Sequence, residues 1–325
     1  MEANEKELSI CSIYHSPQTR RLLELNRDFA ARMNRHNKWV WIAGDNTPAN
    51  APSPIDETKF TPVRGADMAE LKRRYPRRIA DEKGFASFHL AAATQKCIQA
   101  VRTRWLVIHD NDLFVVRPDW MSEIIGYMEG NNLGFFGVTW PAYRHTTYRY
   151  FPCPHFFFVD LDSVDKECLY FYPSLEQISV PRFLRFRGMN FLKKWQRIGK
   201  SRDGGYFLYR QFFRSGIRFE YAQNVFRSKK DASRTFGIAE NIIRRILPDQ
   251  WLFAPKRRGY YTETAFKDAD YPDMRGFGAE EFFWRGSPFA FHLYKAKARW
   301  FGNDFNAGIE RLSRVLDIFA SRAGR

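Results

Sequence analysis

From Trp105 to Ile108 the chain is apolar without a break, and it then runs into His109, Asp110, Asn111 and Asp112. A short apolar run bounded by polar turn formers reads as a buried strand, and this one ends on two carboxylates. Asp110 and Asp112 stand two positions apart, a spacing that puts both side chains on one side of an extended backbone. Paired carboxylates at the carboxyl end of a strand, where open α/β sheets place their ligands, suit a divalent cation and the diphosphate it bridges. Asp-Asn-Asp equally suits a turn in which short polar side chains bond their own backbone. The surrounding segments therefore decide the meaning of the pair.

Those segments alternate strand and helix patterns over the first hundred residues, which predicts an α/β fold with a mostly parallel sheet flanked by helices. Leu8 to Tyr14 reads as a strand, and Pro17 opens a helix with Leu22, Leu25, Phe29 and Met33 on one face. Trp39 to Ala43 is a second strand ending at Gly44-Asp45-Asn46, and residues 46 to 80 form a loop-rich insertion. Ala86, Leu90, Ala93, Cys97 and Val101 share a helix face that feeds the Asp110 strand. Asp119 is placed to cap a helix bearing Trp120, Ile124, Tyr127 and Met128. Leu133 to Trp140 and His155 to Leu161 read as further strands.

The pattern changes after residue 172. Pro181 to Arg187 and Phe191 to Arg197 interleave aromatic and basic residues and predict a surface segment. A helix near Tyr206 to Phe213, a strand near Ile217 to Ala222, an irregular stretch to about residue 288, a short strand at Phe289 to His292 and a terminal amphipathic helix follow. No internal repeat or linker interrupts the chain. The expected organisation is one catalytic domain over 1–300, with a nucleotide-binding half at 8–115 and an acceptor half at 116–300. The acceptor half carries insertions at 172–200 and 223–288, and residues 301–325 form the C-terminal amphipathic helix.

With 325 residues, 44% of them hydrophobic and 17% aromatic, the chain can bury a sizeable core. No apolar run reaches the roughly 18 residues of a membrane span, and the start MEANEKELS lacks the regions of a signal peptide, so the expected location is the cytoplasm. Cys11, Cys97, Cys153 and Cys168 have neither zinc-site spacing nor the density of a disulfide framework, and Cys11 and Cys97 read as small core residues. The net charge of +16 predicts a surface that attracts phosphates, whether of nucleic acid, anionic lipid or a nucleotide.

Four segments in this order, WVWIAGDN, the small-residue helix running into WLVIHDND, RDGGYFLYRQFFRSGIRFEYA and FAFHLYKAKARW, resemble the family-2-type glycosyltransferases of GT-A fold. The resemblance covers about residues 8 to 162, returns at 203 to 222 and touches 289 to 300. It implies that Asp45 meets the nucleotide base, Asp110 the ribose or the metal, and Asp112 with His292 an Mn²⁺ or Mg²⁺ ion. It also implies donor contacts from His89, Lys295 and Lys297, and places Asp203 as the general base, although Arg202 stands where the family keeps an acidic residue. The implied reaction is transfer of a sugar, with inversion, from a UDP-linked donor to a hydroxyl of a glycan or lipid-linked saccharide.

A sugar nucleotidyltransferase would need a Gly-rich phosphate loop after the first strand, and SIYHSPQTRRLL has no glycine. A basic nucleic-acid-binding protein would find support in the charge and in residues 181 to 197, but no RNA or DNA motif is present, and nucleic acid is not an expected partner. The same segment suits an anionic membrane surface, so peripheral association at the inner face of the cell membrane is expected.

Overall fold

The computed structural model describes residues 8–67, 69, 71, 73, 82–139, 151–172, 208, 211–212, 215–225, 261–293 and 300–323. Its first strand, β1 (Leu8–Tyr14), leads into α1 (Pro17–Met33). Ser16 begins that helix by accepting from the backbone N–H of Thr19 while the Thr19 hydroxyl faces back, and Pro17 occupies the first turn where its missing N–H is harmless. β2 (Trp39–Asp45) and β3 (Thr61–Arg64) follow, then α2 (Glu82–Ala100) and β4 (Trp105–His109). β3-β2-β1-β4 is a parallel sheet, with Tyr14 and Asp45 side by side at its carboxyl edge.

Beyond β4 the sheet becomes mixed. β7 (Cys153–Asp160) is antiparallel to both β4 and β6 (Phe135–Val138), and β6 runs parallel to β8 (Phe219–Val225). β8 then passes the ladder to β10 (Glu280–Trp284), β11 (Ser287–His292) and finally β5 (Leu113–Val115), all antiparallel, with β9 (Tyr261–Thr262) beside β8. The short turn from His109 to Leu113 therefore carries the chain from the end of the parallel sheet to the edge of the antiparallel one. β10 lies inside the stretch expected to be irregular, and its opening pair Glu280-Glu281 is almost fully buried.

Two expectations about helices change. Leu90 is 46% exposed while His89 is covered, so the buried side of α2 runs through Phe88, His89, Ala92, Ala93 and Cys97 rather than through Leu90. The helix is rich in alanine, and small residues on several sides leave its apolar spacing unable to single out one face. α3 (Trp120–Asn131) buries Trp120, Met121, Ile124 and Met128, but Asp119 stands before it with a left-handed φ of 47° and makes no side-chain cap. Its backbone N–H is given to the carbonyl of Met33, and the Asn34 side chain accepts from Met121 N–H instead.

The core is dominated by aromatic rings, Phe135, Phe136, Phe156, Phe157 and Phe289 among them, which meet edge-on or tilted across the sheet. Cys11 and Cys97 are buried, and burial pushes the Cys97 thiol up to about 12. The last helix, α4 (Phe305–Ala323), buries Leu312, Leu316 and Phe319. Its Phe319 stacks on Phe291, which stacks in turn on Phe114, so the terminal helix supports the strand that ends at His292. Among the described residues no helix is long and apolar enough to cross a membrane.

Candidate active site at the seam of two sheets

The turn after β4 is held from beneath by α1. Asn26 donates to the carbonyls of Asn111 and Leu113, and Asn111 turns inward to donate to the carbonyls of Ile13 and Thr19. Ser12 donates to the His109 carbonyl, and the Trp41 indole donates to Ser12. Asp110 and Asp112 thus stand in a turn closed by Leu113 N–H on the Asp110 carbonyl, not on an extended strand. The outcome for their side chains is the same, because a central residue anchored inward leaves its two neighbours facing one region.

That region also receives two imidazoles. His155, the third residue of β7, lies beside the end of β4, its carbonyl accepting from Asp110 N–H, and its Nδ1 lies 2.5 Å from Asp110 Oδ2. His292 ends β11 opposite Leu113, with Nε2 at 3.4 Å from Asp112 Oδ1 and 3.8 Å from Asp110 Oδ2. One ligand atom each from Asp110, His155 and His292 falls within 4.8 Å of the others. The rings of the two histidines lie 4.6 Å apart. Asp110 is the open member of the group, its side chain 32% exposed, whereas those of Asp112 and His292 are buried.

Burial of the His292 ring on its own would push its pKa down, but the carboxylates of Asp112 and Glu280 outweigh that and hold it up at about 10. Glu280, the cross-strand partner of His292 on β10, meets its Nδ1 at 3.4 Å. Three carboxylates gather around one buried imidazole, and a field that favours a proton there favours a divalent cation in its place. Carboxylate oxygens with imidazole nitrogens are a donor set suited to Mn²⁺ and related ions. The residues present therefore fit a divalent cation. His109, by contrast, is a core residue: burial lowers its pKa to about 4, and its ring packs edge-on against Trp41 and Phe156.

The remaining expected residues fall in three places. Asp45 ends β2 at the same edge of the parallel strands, where it accepts from the backbone and hydroxyl of Thr47 and pairs with Arg64 at 2.8 Å. His89 lies on α2 with Nε2 at 2.8 Å from the Ala66 carbonyl, and burial lowers its pKa, so the neutral ring latches the loop after β3 to the helix. Asp203, Lys295 and Lys297 lie outside the described residues, as do residues 181 to 197.

His155 and Glu280 escaped the sequence reading. His155 is the polar residue at the head of an aromatic run, Phe156-Phe-Phe-Val159, and that contrast is the signal that could have drawn notice to it. Glu280-Glu281 resembles a solvated pair, and nothing in the local sequence announces that β10 is covered on both sides.

Residues 85–226, from α2 through β8, match the family described as Glycosyl transferase family 2. Among solved structures the chain is similar to Staphylococcus aureus TarS residues 1–349 in complex with UDP-GlcNAc, at 6% identity over 50% of this chain and 48% of that one, with a TM-score of 0.31. It is also similar to the apo form of mouse xyloside xylosyltransferase 1, at 11% identity over 67% of this chain and 85% of that one, with a TM-score of 0.38. The chain spans about half the length of the TarS fragment. No curated protein sequence matches it.

Proposed function

We propose that this protein is a glycosyltransferase of GT-A fold that moves a sugar from a nucleoside diphosphate donor, UDP-linked, to a hydroxyl of a glycan or lipid-linked saccharide, with inversion at the anomeric carbon, and the match of residues 85–226 to Glycosyl transferase family 2 supports the class. The observation that carries the reading is the convergence of Asp110, Asp112, His155 and His292 where the parallel strands end, the edge at which open α/β sheets bind nucleotides. These four residues would hold Mn²⁺ or Mg²⁺. When bound, the ion would neutralise charge on the diphosphate as it leaves.

The chain's own groups supply the rest. Asp110 is assigned to the donor ribose as well as the ion, and its partial exposure supports this. Asp45, at the same strand edge and paired with Arg64, is assigned to the nucleotide base, with His89 holding the loop beside it. Lys295 and Lys297 follow His292 in the chain and are assigned to the diphosphate, where positive charge favours the transition state. Asp203 is assigned as the base: it takes the proton of the acceptor hydroxyl while that oxygen attacks the anomeric carbon and the bond to the diphosphate breaks. The basic and aromatic segment 181 to 197 is assigned to an anionic membrane surface that presents the acceptor.

Thermal shift and calorimetry test the reading. A ligand at 100 times its dissociation constant stabilises by about 2.7 kcal/mol, so UDP with Mn²⁺ should raise the melting temperature of the parent, and UDP alone should raise it far less. Asp112→Asn should lose the Mn²⁺-dependent part, at least about tenfold in affinity, while keeping a cooperative melt without ligand. Nucleotide affinity unchanged by Asp112→Asn with Mn²⁺ present would overturn the metal assignment.

A further inference from the structure

We infer that Glu280 is a positioning residue for the cation site, holding Nδ1 of His292 so that Nε2 is directed at Asp110 and Asp112. The inference rests on the cation binding proposed above. Glu280 and His292 are direct partners across β10 and β11, and their side chains are 1% and 0% exposed. Burying a carboxylate is far more costly than burying an apolar side chain of the same size. The neighbouring strand positions carry phenylalanine and tryptophan, so packing alone would be met by another apolar residue at 280.

The adjacent acid shows the contrast. Successive strand residues face opposite sides of the sheet, and Glu281 serves its side by accepting the backbone N–H groups of Phe266 and Arg275 at 2.8 and 3.0 Å. That is a structural task, completed within the loop before β10. Glu280 faces the seam instead, where it meets the one nitrogen of His292 that points away from Asp110 and Asp112. An imidazole ligates a metal through one nitrogen only, and the group bonded to the other decides which nitrogen that is and how the ring is turned. With Glu280 accepting from Nδ1–H, the lone pair for a metal sits on Nε2, on the side of the two aspartates.

The test measures Mn²⁺ binding by electron paramagnetic resonance, without nucleotide or acceptor. Glu280→Gln should weaken Mn²⁺ binding by about 10- to 100-fold, the usual loss when such a supporting carboxylate is removed, with the metal-free melting temperature within a few degrees of the parent. In a His292→Ala background the same change should have little further effect on Mn²⁺, because its influence runs through the ring. In wild-type protein loaded with diamagnetic Zn²⁺, ¹⁵N shifts of His292 should show Nδ1 protonated and Nε2 bound, a readout that needs no variant to fold. Mn²⁺ affinity of Glu280→Gln within twofold of the parent, losses that add fully to those of His292→Ala, or metal on Nδ1 would each overturn the inference and leave the cation site standing. Failure of the wild type to bind any divalent ion would remove both readings.

Discussion

Asp160 closes β7 with a carboxylate whose side chain is only 8% exposed. Burial alone would raise its pKa, but the Arg104 guanidinium, at 3.0 and 3.2 Å, together with the Asp162 N–H and the Ser163 hydroxyl, outweighs burial and lowers it. A carboxylate whose folded pKa lies below its unfolded one adds stability that is whole above the unfolded value, 3.8, and fades as acid carries the pH down through the folded value. Asp160→Asn should therefore cost about 1–2 kcal/mol at pH 7, less than a fully buried pair because Arg104 is partly in water. In urea denaturation at pH 7 and pH 3 the gap between parent and variant should narrow in acid. An equal gap at both would mean that geometry, not charge, carries the effect. The residue scale is also where the sequence was most readable in one respect and blind in another. Asp110, Asp112 and His292 could be singled out because each follows an apolar run. His155 and Glu280 were not, since what brings them to the seam is strand pairing between positions 45 and 12 residues from their partners, and only His155 carries a local mark, the aromatic run that follows it.

At the level of elements, β1, β2, β4 and α1 were legible because their signals are local, apolar runs for the strands and a capped periodic pattern for the helix, whereas β3, a short and largely exposed strand, lies inside the stretch 46 to 80 that was expected to be loop. β10 was not legible either, because its polar opening is satisfied by contacts made only after folding. The link between β6 and β7 shows how such an element governs the site. Their register shifts between Gly137 and Val138, and a Cβ on Gly137 would stand 2.5 Å from the Phe156 carbonyl oxygen and 2.7 Å from Pro152 Cβ. The first obstacle is backbone and cannot rotate away. Gly137→Ala should cost about 1–3 kcal/mol, the usual range for overpacking, and should push β7 aside next to the residue before Phe156, which is His155. Mn²⁺ affinity should fall alongside stability. A variant with the parent's urea midpoint would show that β7 yields without strain and would break this coupling between strand packing and site geometry.

Over the whole molecule, basic residues outnumber acidic ones by 52 to 36, yet the centre of the described site is acidic, with Asp110, Asp112 and Glu280 around His292. The excess of positive charge must therefore be spent elsewhere, and one long stretch that carries it without any acid is residues 181 to 197, with Arg182, Arg185, Arg187, Lys193, Lys194 and Arg197. Tyr170, eleven residues before that segment in the sequence, is 42% exposed and lies in a run of rings with Tyr172 and Phe88. Apolar rings beside cations suit a headgroup region, where each cation near an anionic surface contributes about 1 kcal/mol. Flotation with anionic vesicles should recover the protein at low salt and release it at high salt, because such attraction is screened within a Debye length. Replacing Lys193, Lys194 and Arg197 with Ser should weaken recovery by up to roughly 100-fold, about 1 kcal/mol for each of the three. Equal recovery on neutral and anionic vesicles, or none on either, would overturn the membrane reading and assign the basic segment to an acidic acceptor.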